Sequence, residues 1–332
     1  MKIIFWGTPE YAVPTLKSLH ESNHEILAVV TQPDKKRRRG SSKISSPIKI
    51  EAVKNEIQVF TPSSITKDLT IQKELQALAA DLYVVVAYGQ ILPANVLAFP
   101  KYGCWNGHAS LLPNWRGAGP IQWAIIKGDK RTGVAIIAME ESLDTGPILI
   151  QKEITIQPNE NYSQLSKRMS KLNSELMLEA IEKIENSINN TQNENYLSLI
   201  ELTPQGDLGE EPSYARMINK QDYLISWDSS AIDIHRLVMG LYPNAYTIWK
   251  GKRLKVLTTI LFDSNSNYQI DSKEQYGTIV KVDNQQGIKV LTGNGELWIT
   301  KAQLEGKNTL SNNELIQQLK GMELKLFGKF GK

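Results

Sequence analysis

The chain has few residues that carry disulfide, zinc or membrane chemistry. Its 332 residues include one cysteine, Cys104, and four histidines. An intramolecular disulfide and a zinc site built from several cysteines are therefore excluded. No apolar run approaches the roughly 18 residues that span a bilayer, and the apolar start at residues 1–6 is too short for a signal peptide. We therefore expect a soluble, cytoplasmic protein.

The chain also lacks a large excess of either charge, because 38 basic residues are nearly balanced by 35 acidic ones, which leaves a formal net charge of +3. A field of that size does not attract a polyanion, so any affinity for nucleic acid must come from local patches. The length indicates two domains, since a single core rarely grows beyond about 250–300 residues.

The first half of the sequence alternates short apolar runs with helical segments. Residues 2–6, 26–31, 82–87 and 133–139 are such runs, rich in β-branched residues. Continuous apolar strands separated by helices are typical of a parallel sheet covered on both faces. We predict a doubly wound, mostly parallel α/β domain over residues 1–188, which ends with a helix at 161–186.

The second half has a different pattern. Residues 189–211 are rich in Asn, Gln, Ser and Glu, as expected of a linker. Short strands separated by Gly, Asn and Asp turns then follow at 246–249, 254–260, 277–282, 287–291 and 297–300, with a helix near 231–239. This pattern predicts a small β-barrel domain, similar to an OB fold, over residues 212–332.

Three polar features follow predicted strands of the first domain, and ligands of open α/β sheets bind at that edge. Asn106 and His108 alternate in one strand, so both point to the same side. Asp144 follows the next predicted strand, and the loop 88–93 follows another. An amide and a protonated imidazole can stabilise the negative oxygen that forms when an amine attacks a formyl carbon. Asp144 can orient His108 and relay a proton, so no nucleophilic side chain is required.

Two longer stretches resemble a known signature. The run N-G-H-A-S-L-L-P-N-W-R-G-A-G-P-I-Q at 106–122 and L-D-T-G at 143–146 resemble the folate-dependent formyltransferases. The motifs F-W-G-T-P at 5–9, T-Q-P-D at 31–34 and P-S-Y-A at 212–215 also match, so the resemblance covers nearly the whole chain.

The resemblance implies transfer of a formyl group from 10-formyltetrahydrofolate to the α-amino group of initiator methionyl-tRNA. We expect no metal in the chemical step. It also implies that Asn106, His108 and Asp144 are the catalytic residues. The remaining residues that it implicates are those that contact the reduced folate: Tyr88, Gly89, Ser110, Leu111, Leu112 and Pro113.

Two basic clusters favour an RNA partner. Five consecutive cations follow the second strand, and their mutual repulsion would be relieved by phosphate. A second cluster lies in the predicted barrel, a fold that often binds nucleic acid. The tRNA-binding candidates are Lys35, Lys36, Arg37, Arg38 and Arg39 in the first cluster, and Lys250, Lys252 and Arg253, with Lys255 beside them, in the second.

Other protein classes fit less well. The turn at 7–9 lacks the G-x-G-x-x-G of a dinucleotide-binding site, and a single D-T-G excludes the paired carboxylates of an aspartic protease. Two alternatives stay open: a formyltransferase for a small amine, such as a purine precursor or an amino-sugar nucleotide, and a non-catalytic RNA-binding protein with a relic folate fold. We expect a monomer, because no heptad or exposed apolar stripe is evident.

Overall fold

The structure is a computed structural model that describes residues 1–36, 43–189, 200–261, 276–320 and 330–331. The chain forms two compact units. The first comprises Met1–Pro120, Arg131–Ile154 and Ser166–Arg216, and the second comprises Ile121–Lys130, Thr155–Leu165 and Met217–Lys332. Among the described helices, none is both long and apolar enough to cross a bilayer.

The described strands are β1 (Lys2–Gly7), β2 (Glu25–Val30), β3 (Lys35–Lys36), β4 (Lys43–Ile44), β5 (Val59–Phe60), β6 (Leu82–Val86), β7 (Cys104–His108), β8 (Arg116–Gly117), β9 (Arg131–Ala138), β10 (Ile148–Thr155), β11 (Tyr214–Ala215), β12 (Tyr246–Trp249), β13 (Lys252–Ile260), β14 (Ile279–Asp283), β15 (Gly287–Leu291), β16 (Glu296–Leu304) and β17 (Thr309–Ser311). The described α-helices are α1 (Val13–His20), α2 (Pro47–Lys54), α3 (Leu69–Ala77), α4 (Ala94–Leu97), α5 (Pro120–Lys127), α6 (Tyr162–Asn189), α7 (Ala231–Gly240) and α8 (Asn312–Lys320).

The first unit is built on a seven-stranded sheet in the order β10-β9-β7-β6-β1-β2-β5. Strands β5, β2, β1, β6 and β7 are parallel to one another, whereas β9 is antiparallel to β7. The predicted doubly wound, mostly parallel sheet is confirmed. Because the carboxyl ends of β1, β2, β6 and β7 lie at one edge, the loops that follow these strands also meet there.

Alternate residues of the parallel strands are buried on opposite faces of the sheet. On one face, Ile4, Trp6 and Tyr83 belong to a single core cluster with Leu75 of α3. On the other side, α6 lies close to β7, since a Cβ added to Gly107 would overlap the side chain of Asn173. Burial on both faces explains why the strands read as continuous apolar runs.

The second unit contains a six-stranded antiparallel sheet with the path β12-β13-β16-β15-β14 and β17 paired to β16. Its aromatic core includes Trp249, whose ring lies 4.9 Å from that of Phe330, and Trp227, stacked on Phe330 at 5.8 Å. Helix α7 is capped at its start by Ser230, whose hydroxyl accepts a hydrogen bond from the Asp233 amide at 3.1 Å. The sequence predicts a small OB-like β-barrel here. A separate C-terminal β domain is confirmed, and its described strands form an antiparallel sheet that runs from β12 to β14.

The domain bounds at 188/189 and 211/212 remain a prediction. Of the predicted linker, residues 190–199 lie outside the described residues. Residues 200–216 group with the first unit, and their contacts are described below because they reach the candidate site.

Candidate active site

Strand β7 carries the predicted amide and imidazole at the centre of the sheet. Asn106 pairs with Val85 of β6 and with Ile137 of β9, and His108 pairs with Ala135. The residue between them, Gly107, faces α6. Two-residue periodicity therefore brings Asn106 and His108 to one side of the strand, as the sequence predicts.

Asp144 lies in the loop between β9 and β10 and joins these two side chains. Its Oδ1 accepts a hydrogen bond from Asn106 Nδ2 at 3.3 Å, and its Oδ2 accepts one from the Gly117 amide at 2.8 Å. The same Oδ2 lies 3.6 Å from Nδ1 of His108. The structure thus brings together the three side chains predicted as catalytic, although Asp144 is 38 residues from Asn106 in sequence.

The second ring nitrogen of His108 has a partner of its own. Nε2 lies 2.9 Å from the carbonyl oxygen of Trp115, and because a carbonyl can only accept, Nε2 carries the hydrogen. Nδ1 therefore faces Asp144, and a proton on Nδ1 would complete an ion pair there. The His108 and Asp144 side chains are 6% and 9% exposed, so this contact is shielded from water and from salt.

Two residues of the site have left-handed backbone conformations. Asp144 has φ 54° and Trp115 has φ 61°, values that few residues other than glycine adopt without cost. Gly117, with φ 115°, has no room for a side chain, because a Cβ would lie 2.8 Å from the Ala215 oxygen. Strain of this kind persists only where the surrounding structure fixes the backbone.

The predicted folate-binding run after β7 is largely packed into the protein. Ser110 is buried and donates a hydrogen bond to the Asn114 oxygen, and Leu112 belongs to a core cluster with Ile137 and Ile148. Pro113 is also buried. Only Leu111 among the four predicted residues is partly exposed. A ligand here would therefore contact the main chain and Leu111 more than the side chains of the other three residues.

The loop after β6 has a similar character. The Tyr88 ring is buried and packs edge-on against Trp6 at 5.2 Å, and burial raises the pKa of its hydroxyl. Its carbonyl oxygen accepts hydrogen bonds from Thr8 Oγ1 at 2.8 Å and from Gln32 Nε2 at 3.2 Å. Gly89 follows with φ 90°. These contacts connect the loops that follow β1, β2 and β6.

The two basic clusters are described to different extents. Lys35 and Lys36 form β3, which pairs with β4, while Arg37, Arg38 and Arg39 lie outside the described residues. In the second unit, the β12–β13 hairpin exposes Lys250, Lys252 and Arg253. The Arg253 guanidinium lies 4.0 Å from the ring centroid of Tyr246 and the Lys250 ammonium 6.0 Å from that of Trp249. A cation placed over the face of an aromatic ring is attracted to the ring electrostatically.

Sequence reasoning missed three groups that contact the site. The Gly117 amide and the Trp115 oxygen lie in the run that carries the resemblance, but main-chain groups leave no mark on residue identity. The third is Gln205, whose amide nitrogen donates to the carbonyl oxygens of Asp144 and Gly146 at 2.8 and 2.9 Å. It lies in the polar stretch predicted as a linker, where composition gives no sign of such a contact.

The site combines an amide, an imidazole and a carboxylate at the carboxyl edge of a mostly parallel sheet. This combination is typical of an α/β group-transfer enzyme that requires no side-chain nucleophile. The comparisons with known proteins agree with this class. The profile of the formyl transferase family matches residues 1–181, and the profile of the formyl transferase C-terminal domain matches residues 217–320. The chain belongs to the formyl transferase family.

Its relatives are similar over nearly their full length. The chain is 46% identical over 329 residues to a methionyl-tRNA formyltransferase from Prochlorococcus marinus (strain MIT 9303), covering 96% of this chain and 96% of that protein. It is 46% identical over 342 residues to a methionyl-tRNA formyltransferase from Synechococcus sp. (strain CC9311), covering 99% of this chain and 100% of that protein.

Solved structures share the fold at low sequence identity. An N-formyltransferase from Helicobacter canadensis, in complex with folinic acid and dTDP-3-aminofucose, has a TM-score of 0.62 at 17% identity and covers 90% of this chain and 98% of that one. HypX from Aquifex aeolicus, in complex with tetrahydrofolic acid, has a TM-score of 0.59 at 16% identity over 97% of this chain. The chain spans about half of HypX, 48% of its length.

Among the described residues, no group of three or more His, Cys, Asp and Glu side chains is arranged to hold a metal ion. The one cysteine, Cys104, is buried in β7 with its thiol directed at the Leu97 oxygen, and burial raises the pKa of that thiol. Its thiolate is therefore disfavoured, which argues against a nucleophilic role.

Proposed function

We propose that this chain transfers the formyl group of 10-formyltetrahydrofolate to the α-amino group of initiator methionyl-tRNA. The observation that carries the proposal is the convergence of Asn106, His108 and Asp144 at the carboxyl edge of the sheet in a member of the formyl transferase family. The acceptor is supported by relatives of nearly equal length that bear the name methionyl-tRNA formyltransferase.

In the proposed reaction, the amine of the acceptor attacks the formyl carbon, and the carbonyl oxygen gains negative charge. Asn106 is the donor that can meet this oxygen. Its amide carries two hydrogens, and the described residues account for one of them, in the bond to Asp144. The other hydrogen can be directed at a substrate oxygen. A donor already fixed by Asp144 needs little reorganisation as charge develops, which favours the transition state.

His108 is a second donor only if its contacts change. Its Nε2 hydrogen is directed at the Trp115 oxygen at 2.9 Å, so a substrate oxygen must replace that carbonyl as acceptor. The contact of Nδ1 with Asp144 at 3.6 Å would tighten if the ring were protonated. Asp144 would thus stabilise the imidazolium while His108 donates to the reacting oxygen. Catalytic contacts that are long without substrate commonly shorten in the complex.

The reduced folate is the formyl donor, and the site has features that fit it. Tyr88, Gly89 and the residues 110–113 offer main-chain groups on fixed loops at the edge where Asn106 lies. Leu111 offers partly exposed apolar surface, as a flat heteroaromatic ring requires. We assign these residues to folate binding, with Asn106, His108 and Asp144 in the reaction itself.

The two basic clusters would contact the RNA. Lys35, Lys36, Arg37, Arg38 and Arg39 would bind phosphates of the acceptor, and the cations of the β12–β13 hairpin would add further phosphate contacts. Each cation that neutralises a phosphate releases counterions, so both contributions should weaken as salt rises.

The function is tested by offering the protein 10-formyltetrahydrofolate with methionyl-tRNA and, separately, with free amino acids, a purine-precursor amine and an amino-sugar nucleotide. We expect release of tetrahydrofolate only with methionyl-tRNA, and a mass gain of one formyl group on the esterified methionine. Turnover with a small amine instead would identify a different acceptor. Binding of tRNA with no formyl transfer to any acceptor would refute the proposal that the protein is an enzyme.

The RNA contacts are tested by replacing Lys250, Lys252 and Arg253 with Gln. We expect a lower kcat/KM for methionyl-tRNA. We also expect the slope of log kcat/KM against log salt concentration to become less negative, by roughly 0.7–0.9 for each lost phosphate contact. A matched control removes the same number of charges by replacing three exposed lysines of the same unit, Lys281, Lys301 and Lys307, and should change neither. Equal effects of the two sets would show that net charge, and not this hairpin, governs binding.

We also propose that the protein acts as a monomer in the cytoplasm. Light scattering coupled to size-exclusion chromatography should give the mass of one chain, 37.3 kDa. A mass that stays at twice this value on dilution would contradict the monomer.

A further inference from the structure

The segment of residues 203–215 lies between the two family-profile matches and contacts the candidate site at both of its ends. Near its start, Thr203 and Ile148 exchange two main-chain hydrogen bonds of 2.8 and 2.9 Å, next to the Asp144 loop. Near its end, strand β11 pairs with β8, so that Ala215 lies opposite Gly117. We call residues 203–215 the bridging segment.

The bridging segment also fixes the loop that supplies the partner of His108. The Trp115 amide donates to Ser213 Oγ at 2.9 Å, and the Arg116 amide donates to the Ser213 oxygen at 2.9 Å. Trp115 is the left-handed residue whose carbonyl accepts from His108. The conformation of this loop therefore depends on a segment about 100 residues away in sequence.

Gln205 lies at the centre of these contacts. It is 4% exposed, and its Nε2 donates to the carbonyl oxygens of Asp144 and Gly146 at 2.8 and 2.9 Å. Its Oε1 accepts from Nε and Nη2 of Arg116 at 2.9 and 2.6 Å. A primary amide has two hydrogens and two lone pairs, so these four bonds use its full capacity.

This arrangement ties together the two loops whose geometry the reaction depends on. Asp144 has a positive φ, which is uncommon outside glycine. Its carbonyl is held by Gln205, while its carboxylate contacts Asn106, His108 and the Gly117 amide. If the carbonyl were released, the residue could relax toward ordinary backbone angles, and the carboxylate would move with it.

We propose that Gln205 is a positioning residue for formyl transfer. It fixes the main chain of Asp144 relative to the Arg116 loop, so that the Asp144 carboxylate stays in contact with Asn106 and His108. The inference rests on the proposed function, and it extends the active site into a segment that neither family profile covers.

Two substitutions test it. Gln205→Met keeps the length of the side chain but removes all four hydrogen bonds. Gln205→Glu keeps an acceptor for Arg116 and removes the donors to Asp144 and Gly146. We expect kcat per folded molecule to fall about 10- to 100-fold in both, as for small displacements of catalytic groups, with little change in KM for either substrate. Asp207→Asn, exposed in the same segment, is the matched control and should keep full activity.

A double-mutant cycle separates positioning from a general loss of structure. In an Asp144→Ala background, measured by single turnover at high enzyme concentration, Gln205→Met should cause little further loss, because the group it positions is absent. Circular dichroism gives the folded fraction by which each rate is divided.

Three results would overturn the positioning role: native kcat in either Gln205 variant, a fall in activity fully accounted for by lost folded protein, or an undiminished effect in the Asp144→Ala background. Absence of formyl transfer by the unsubstituted protein would instead remove the proposed function. The two failures are therefore distinguishable.

Discussion

Replacing Asn106 by Leu tests the central chemical assignment, because Leu has nearly the same size and no hydrogen-bond donor. Asn106 Nδ2 contacts Asp144 at 3.3 Å, and we assign its other hydrogen to the reacting oxygen. Loss of one such donor typically lowers kcat by about 10²–10³, or roughly 2.7–4 kcal/mol. We expect kcat and kcat/KM to fall together, since the interaction forms in the transition state.

The same substitution should affect stability in a separate and smaller way. Asp144 Oδ1 would lose its amide donor, although Oδ2 would retain the Gly117 amide. An acceptor that loses its partner in a side chain only 9% exposed costs about 1–3 kcal/mol. Urea unfolding followed by circular dichroism would measure this cost, and rates would be taken well below the unfolding midpoint.

The assay is formylation of methionyl-tRNA at saturating 10-formyltetrahydrofolate, with tRNA binding measured in parallel. A matched control is Asn55→Leu, which should leave kcat unchanged, because the Asn55 amide contacts Glu51 of the adjacent helix α2. A near-native kcat for Asn106→Leu, with the control also active, would refute the assignment of Asn106 to the oxyanion.

Three further predictions concern packing and pH. Gly107→Ala should lower the free energy of unfolding by about 1–3 kcal/mol, because its Cβ overlaps Asn173, and urea unfolding would measure the loss; unchanged stability would contradict the close packing. His235 is buried beside Thr259, and burial lowers its pKa, so it contributes stability above pH about 6.5 that is lost as pH falls through the folded-state pKa. Urea unfolding at several pH values would measure this decline in the free energy of unfolding. His235→Asn should make the decline smaller, whereas His20→Asn, at an exposed position, should leave it unchanged. An equal decline in the unsubstituted protein and both variants would contradict the prediction. Formyl transfer should slow as acid protonates the acceptor amine, so a rate of formylation independent of pH below 7 would exclude attack by the free amine.

The basic hairpin and the bridging segment carry different kinds of information in the sequence. Lys250, Lys252 and Arg253 stand out by charge alone, and the structure describes their exposure. Gln205 is an ordinary polar residue in a stretch of ordinary polar residues. Its contacts give it a role, and a pattern of residue types cannot reveal contacts made over 61 and 89 residues of sequence.

Strong local patterns determined the frame of the fold. The apolar runs at 2–6 and 82–87 predicted β1 and β6 to within one residue, because a strand buried on both faces tolerates few polar residues. Strand β10, by contrast, was missed. Its sequence I-L-I-Q-K-E-I-T includes an exposed Gln, Lys and Glu. These polar residues are tolerated because β10 lies at the edge of the sheet and is partly exposed to solvent. Helix α8 was also missed, because its nine residues include three buried apolar side chains among Asn, Gln and Glu.

By itself, the sequence determined the inner strands of the sheet but not its edge strands β5 and β10. It also determined that Asn106 and His108 share one side of a strand, and that Asp144 follows another strand. These are consequences of two-residue periodicity and of local burial. Only the tertiary structure decided that the Asp144 carboxylate meets both side chains, that the Trp115 oxygen holds His108, and that Gln205 secures the Asp144 loop. Hydrogen bonds between distant loops depend on where folding brings the main chain, and residue identity does not record that position.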